Sequence, residues 1–238
     1  MLPIAVLVTG KPVPAAQEAR GPFGALIREA AQGAWPGEWR DLDCEADEGL
    51  PPTRCFSALV ITGSPASVTT RDRWMLRTEA YLRRAVAGGT PVLGICFGHQ
   101  MLAQALGGGV QKNPHGREMG TMALELTRDD PLLDVSERPL AVNMSHVDSV
   151  GRVPPGATVL ARTALEPNAA LRFAQRVWSV QFHPEFDASV MRQYIEARRD
   201  IIAGEGLDPD AMLSSAGDAP FGAAVLRRFL GMIRQGYL

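Results

Sequence analysis

The stretch 92–98 constrains this chain more than any other: the apolar run Val92-Leu93-Gly94-Ile95 leads into Cys96-Phe97-Gly98, and a helical pattern starts at His99-Gln100. A buried strand that breaks straight into a helix has to turn within a few residues. Gly94 and Gly98 permit this, because neither has a Cβ to clash in the turn and glycine takes backbone angles that other residues avoid. Cys96 is thereby held up, exposed and strained at the break, the arrangement of a nucleophile elbow. Its place at a helix N-terminus sets the sulfur against unsatisfied N–H groups and the positive end of the dipole, which favours the reactive thiolate. A lone cysteine on a core strand is more often buried and inert. The flanking glycines and the abrupt strand-to-helix switch argue against that here.

The rest of the chain supplies a sheet for this strand. Residues 2–8 and 58–62 are continuous apolar runs, suited to strands buried on both faces of a parallel sheet, and 39–43 reads as a shorter strand between them. Phe23, Leu26, Ile27 and Ala30 recur at helical spacing, as do Trp74, Leu76, Ala80, Leu82 and Ala85 before Gly88-Gly89, while 11–21 reads as a polar, Pro- and Ala-rich loop. Strands alternating with helices predict an α/β fold, a three-layer α/β/α sandwich with a mostly parallel central sheet. Sites in such sheets form at the carboxyl ends of the strands. Both Cys96 and the turn Gly63-Ser64-Pro65 fall there.

Beyond residue 120 the pattern changes. Met122, Leu124 and Leu126 alternate with polar residues, and 140–144 and 158–161 look similar, which predicts a small antiparallel extension. Residues 170–173 and 177–182 form a hairpin-like pair around Gln175-Arg176, and the second ends in His183-Pro184-Glu185. After Asp187 the pattern is helical, with Val190, Tyr194, Ile195 and Ile201 on one face; 207–220 reads as a loop and 223–233 as a terminal helix. No repeat or linker divides the chain, so 1–238 reads as one domain with 187–238 as a C-terminal helical extension.

Composition excludes several partners. A net charge of −2 gives no electrostatic case for nucleic acid or an anionic membrane. No apolar run approaches the roughly 20 residues that span a bilayer, and the first residues lack a basic leader and cleavage site, so a soluble cytoplasmic protein is expected. Three cysteines, Cys44, Cys55 and Cys96, cannot all pair, and their sparse use suits a reducing compartment. Their spacing matches no zinc site, and Cys44 and Cys55 read as packing residues.

A cysteine nucleophile needs a base in hydrogen-bond reach, and the base needs an orienting acceptor. Four histidines are available: His99, His115, His146 and His183. Residues two apart at the end of an extended strand project to the same side, so His183 and Glu185 can touch, with Pro184 stiffening the link. That favours His183 as the base.

Gly94-Ile95-Cys96-Phe97-Gly98-His99-Gln100 and His183-Pro184-Glu185 resemble the triad motifs of class I glutamine amidotransferases. Gly63-Ser64-Pro65, Arg117-Glu118-Met119-Gly120 and Met144-Ser145-His146 extend the likeness in the family's order, over residues 58–185. In character the chain is similar to the glutaminase domain of GMP synthase and to plant γ-glutamyl peptidases. The resemblance implies a flavodoxin-like fold and hydrolysis of the glutamine side-chain amide. Cys96 would attack the amide carbon, His183 would take the thiol proton and pass it to departing ammonia, and Glu185 would hold His183 in its productive tautomer. It implies an oxyanion hole from the backbone N–H groups of Ser64 and Phe97, with Ser64 standing where many members have glycine. Gly63, Gln100, Ser145, His146 and Val147 would bind substrate, and no metal or cofactor is called for. The substrate would be L-glutamine or a γ-glutamyl compound. No phosphate-binding loop is found, so activation of an ammonia acceptor would need a separate synthetase subunit.

Other readings stand beside these. Gln100 also reads as a cap of the helix start, His146 as a structural partner of Asp148, and Glu185 as a solvent-facing charge past a strand. The same triad could serve a stand-alone γ-glutamyl peptide or amide hydrolase, and the same fold a non-catalytic regulatory subunit.

Overall fold

Four apolar runs build the centre of the computed structural model, which describes residues 1–46 and 48–237. β1 (Ile4–Val8), β3 (Ala58–Ile61), β4 (Val92–Ile95) and β12 (Val177–Val180) are buried almost throughout and run parallel. β2 (Trp39–Asp43) lies parallel outside β1. On the other side, β11 (Ala170–Ala174), β10 (Thr158–Arg162) and the short β7 (Glu125–Leu126) continue the sheet antiparallel, giving the order β2-β1-β3-β4-β12-β11-β10-β7.

Alternation along the central strands feeds two cores. Val6, Val60, Leu93 and Trp178 point to one face, covered by α2 (Phe23–Ala31) and α8 (Pro220–Arg234). Ala5, Leu59, Ile61 and Val92 point to the other, covered by α3 (Arg73–Ala87) and α4 (Phe97–Ala105). The result is the three-layer, flavodoxin-like α/β/α sandwich with an antiparallel edge. No helix among the described residues is long and apolar enough to cross a membrane.

Several elements depart from the sequence reading. Residues 11–21 are not all loop: α1 (Pro14–Arg20) starts with proline at its first turn, where the missing N–H costs nothing. Within 207–220 lies α7 (Pro209–Ser215), capped by the Asp208 carboxylate and again opened by proline. The helix after Asp187 breaks in two, α5 (Ala188–Glu196) and α6 (Arg199–Gly204), which rotates Ile201 outward to 55% exposure and buries Ile202 instead. Cys44 is buried as expected, whereas Cys55 is exposed. Two small antiparallel ribbons sit beside the main sheet: β5 (Gly109–Lys112) with β9 (Asp148–Arg152), and β6 (Glu118–Ala123) with β8 (Ala141–His146).

The C-terminal segment is built into the core. Phe221, Val225, Leu226 and Phe229 of α8 are fully buried, and Phe229 meets Trp178 edge-on at 6.4 Å between ring centroids. Phe229→Ala is therefore expected to cost about 3–5 kcal/mol, read as a lower midpoint in chemical denaturation. An unchanged midpoint would mean that α8 only lies on the surface.

Candidate active site

Three neighbouring strands end at one place. β3, β4 and β12 are adjacent and parallel, with Ile61 opposite Gly94 and Ile95 opposite Val180, so the residues just past them, Gly63, Cys96 and His183, converge at the carboxyl edge of the sheet. Backbone bonds hold this edge: Cys96 N–H donates to the Val180 carbonyl at 2.9 Å, Gly98 N–H to Thr62 at 3.1 Å, and His183 N–H to Asn143 at 2.8 Å. The Thr9 hydroxyl ties the end of β1 to the Gly63 carbonyl at 3.0 Å.

The turn at Cys96 is as tight as the sequence requires. A Cβ at Gly94 would lie 2.5 Å from the Gly98 carbonyl oxygen, and one at Gly98 would lie 2.6 Å from that of Ile61. Neither glycine takes a positive φ; that conformation falls on Cys96 itself, at φ 50° and ψ −103°. The glycines therefore make room, and the cysteine carries the strain. Cys96 is also less open than the sequence reading expected, at 6% exposure.

His183 sits on the wall of the cleft above Cys96. Its Nδ1 is 2.8 Å from Glu185 Oε1, and its other side meets the Cys96 thiol. The ring stacks on Phe186 at 3.9 Å between centroids, with Phe23 and Tyr194 farther out. Burial pulls the His183 pKa down, but the charges of Glu185 and Cys96 outweigh this and raise it to about 10. Glu185 is buried, not solvent-facing, and its Oε2 has no partner among the described residues. Gly63 is fitted to the imidazole, since a Cβ there would lie 2.9 Å from His183 Cε1.

The remaining expected residues line the same cleft. Ser64 and Phe97 border it, and among the described residues neither backbone N–H donates a hydrogen bond. Gln100 does not cap its helix; its amide donates to the Asp148 carbonyl at 2.8 Å and to Gln181 Oε1 at 3.1 Å. Residues 145–148 form one wall. The His146 ring is committed elsewhere, to Glu118 Oε2 at 3.1 Å and the Asp148 backbone carbonyl at 2.9 Å, so the expected pairing is with the main chain and not with the Asp148 carboxylate. Glu118 and His146 stand directly opposite on β6 and β8. His99 lies outside the cleft, bonded to Ser179 Oγ at 2.7 Å; burial first, and the nearby His146 second, push its pKa down to about 3.

Sequence reasoning missed the far wall. Tyr194 on α5 and Arg198 just beyond it reach the cleft, as do Pro12 and Val13 ahead of α1. Arg198 lies over the Tyr194 ring at 4.9 Å and pairs with no carboxylate among the described residues. Tyr194 shows only as one of several apolar positions on a helix, and its placement depends on α5 packing against α1. Among the described residues no group of three or more His, Cys, Asp or Glu could hold a metal.

Known proteins resemble both the sequence and the fold. The chain is 41% identical over 138 residues to the GMP synthase [glutamine-hydrolyzing] of Aeropyrum pernix and 31% identical over 214 residues to that of Thermomicrobium roseum. These alignments cover 58% and 80% of this chain but only 25% and 38% of those proteins, so the chain spans well under half of their lengths. Among solved structures, a glutamine amidotransferase from Thermotoga maritima aligns over 98% of both chains with a TM-score of 0.76 at 23% identity. One from Methylobacillus flagellatus covers 99% of this chain and 93% of its own, at 0.73 and 24%. These two carry the fold assignment. The family model for class I glutamine amidotransferases matches residues 40–200, which hold β3, β4 and β12 and every residue from Gly63 to Glu185 gathered at the sheet edge, and the chain belongs to that family.

Proposed function

We propose that the chain hydrolyses γ-glutamyl amides, with L-glutamine as the simplest substrate, through Cys96, His183 and Glu185. The observation that carries this reading is the convergence of a thiol, an imidazole and a buried carboxylate in bonded sequence at the end of adjacent strands. His183 takes the Cys96 thiol proton, and the Glu185 carboxylate favours the imidazolium that forms. The thiolate adds to the γ-carbonyl carbon, and the oxyanion that forms is met by the Ser64 and Phe97 N–H groups. Collapse breaks the C–N bond as His183 gives its proton to the nitrogen, which leaves as ammonia and a γ-glutamyl thioester remains on Cys96. Neutral His183 then takes a proton from water, whose hydroxide attacks the thioester carbon. Glutamate leaves, and the thiolate and imidazolium are restored.

Gln100 donates through its amide nitrogen, which leaves Oε1 to accept from the substrate's α-amino group. The 145–147 wall supplies backbone polar groups for the same end of the substrate, and the His146–Glu118 pair behind it holds that wall in place. By analogy with GMP synthases, of which this chain spans a fraction, the ammonia would pass to a separate synthetase subunit. Acid quenching during glutamine turnover, followed by peptide mass analysis, is expected to find one γ-glutamyl group on Cys96. Turnover with that group on another residue, or with none, would overturn the reading.

A further inference from the structure

The cleft has two unequal halves that meet at Cys96. The smaller, about 320 Å³, is bordered by Phe97, Gln100 and residues 145–148. The larger, about 700 Å³, is bordered by His183 and walled by Pro12, Val13, Phe23 and Tyr194. Cys96, Ser64 and Ser145 border both, so the reacting carbon has its place at the junction.

We infer that the larger half is a leaving-group subsite for an amine carrying an apolar body of aromatic size, so that the substrate class is a γ-glutamyl conjugate of such an amine. This rests on the γ-glutamyl chemistry proposed above. The direction of the substrate follows from the proton. His183 must protonate the departing nitrogen, so the leaving group lies on the side His183 borders, which is the large half. The γ-glutamyl portion then fills the small half, where the polar groups are: the Phe97 N–H, the Gln100 amide oxygen and the 145–148 main chain.

Size and lining both speak against ammonia as the sole product of that side. Ammonia occupies about the space of one water, roughly 30 Å³, whereas sites of several hundred cubic ångströms suit ligands with substantial bodies. Phe23 and Val13 offer ammonia no side-chain hydrogen bond and the Tyr194 hydroxyl is engaged by the Val13 main chain, while their carbon faces suit an apolar body, which gains by leaving water. Proline at 12 and 14 stiffens the α1 side of the wall, so little order has to be imposed when a ligand enters. Of the charges bordering the large half, Lys11 and Glu18 offset each other, and Arg198, which lies over the Tyr194 ring and borders both halves, suits a carboxylate carried by the substrate. The bond changes are those already given. Sulfur bonds to the γ-carbon, the C–N bond breaks, and the His183 proton goes to the amine.

The test compares kcat/KM of the full chain for L-glutamine, γ-glutamylglycine and γ-glutamylphenylalanine. The phenylalanine conjugate is expected to exceed both others by at least ten-fold, and Val13→Asp is expected to cut that preference by ten-fold or more. Pro14→Glu, at an exposed position of the same wall where an acidic residue suits the first helical turn, is expected to cut it as well and guards against misfolding of the first variant. Glutamine turned over as fast as the conjugates, or a preference unchanged in both folded variants, overturns the subsite and leaves the proposed hydrolysis standing. Failure of all three substrates, with no acyl group on Cys96, overturns the hydrolysis and the subsite together.

Discussion

Cys96→Ala is expected to lower turnover of glutamine or any γ-glutamyl amide by about 10⁴-fold or more, because members of a triad act as a unit and loss of the nucleophile removes the covalent path altogether. On the proposed mechanism, what remains is positioning and the N–H groups of Ser64 and Phe97, which would act on a carbonyl that only water could then attack. The same position carries a stability prediction. At φ 50° and ψ −103° a non-glycine residue is held in a sparsely populated conformation, a cost of about 1–3 kcal/mol. Alanine keeps the Cβ and therefore the strain; glycine removes it. Cys96→Gly is thus expected to be as inactive as Cys96→Ala but more stable by about 1 kcal/mol, after allowing for the extra freedom glycine gains in the unfolded chain. Denaturant midpoints of the two variants measure this, and equal midpoints would mean that the turn is relaxed. Holding the sulfur up at the sheet edge costs the fold stability.

The parts of this arrangement that were legible in the sequence are those fixed by local rules. Strands buried on both faces announce themselves as unbroken apolar runs, which is why β1, β3, β4 and β12 and their carboxyl ends could be placed. Residues 183 and 185 share a side because an extended backbone alternates, and they are bonded. The steric role of Gly94 and Gly98 follows from their missing Cβ atoms, whereas which residue takes the strained angles depends on the path of the whole turn. Two short helices were missed although each carries a start signal, proline in the first turn of α1 and Asp208-Pro209 before α7. A seven-residue exposed helix such as α7 has no buried stripe, so hydrophobic periodicity is silent about it. The Glu118–His146 pair was illegible for another reason. It depends on the register of β6 against β8, and that register is set by pairing between segments far apart in the chain. The large half of the cleft is likewise a product of packing, since α1, α2 and α5 meet only in the folded molecule.

Glu185→Gln is expected to lower kcat by about 10²–10⁴-fold and to move the alkaline limb of the pH profile toward neutrality. Glutamine has nearly the same shape, so the loss comes from charge and from tautomer. The carboxylate accepts a hydrogen bond from His183 Nδ1–H and points the other nitrogen at Cys96, whereas an amide can present N–H and favour the opposite tautomer. The Glu185 charge is also the leading influence that raises the His183 pKa against the pull of burial. In the native protein the imidazolium, which the proposed mechanism uses to protonate the leaving amine, persists until the pH nears about 10. Without the carboxylate it is lost at lower pH, since only the Cys96 sulfur then opposes the pull of burial. Stability follows the same sign. A pKa raised on folding contributes stability that is complete below about pH 6.5 and disappears as the pH rises through about 10. Glu185→Gln should therefore flatten the dependence of stability on pH across that interval, most visibly at its acid end. A merely structural carboxylate would lower stability at all pH values and leave the alkaline limb of kcat/KM where it was. Titration of the His183 ring by NMR in the two proteins separates these outcomes, because only the charge-based role requires the imidazole itself to titrate at lower pH in the variant.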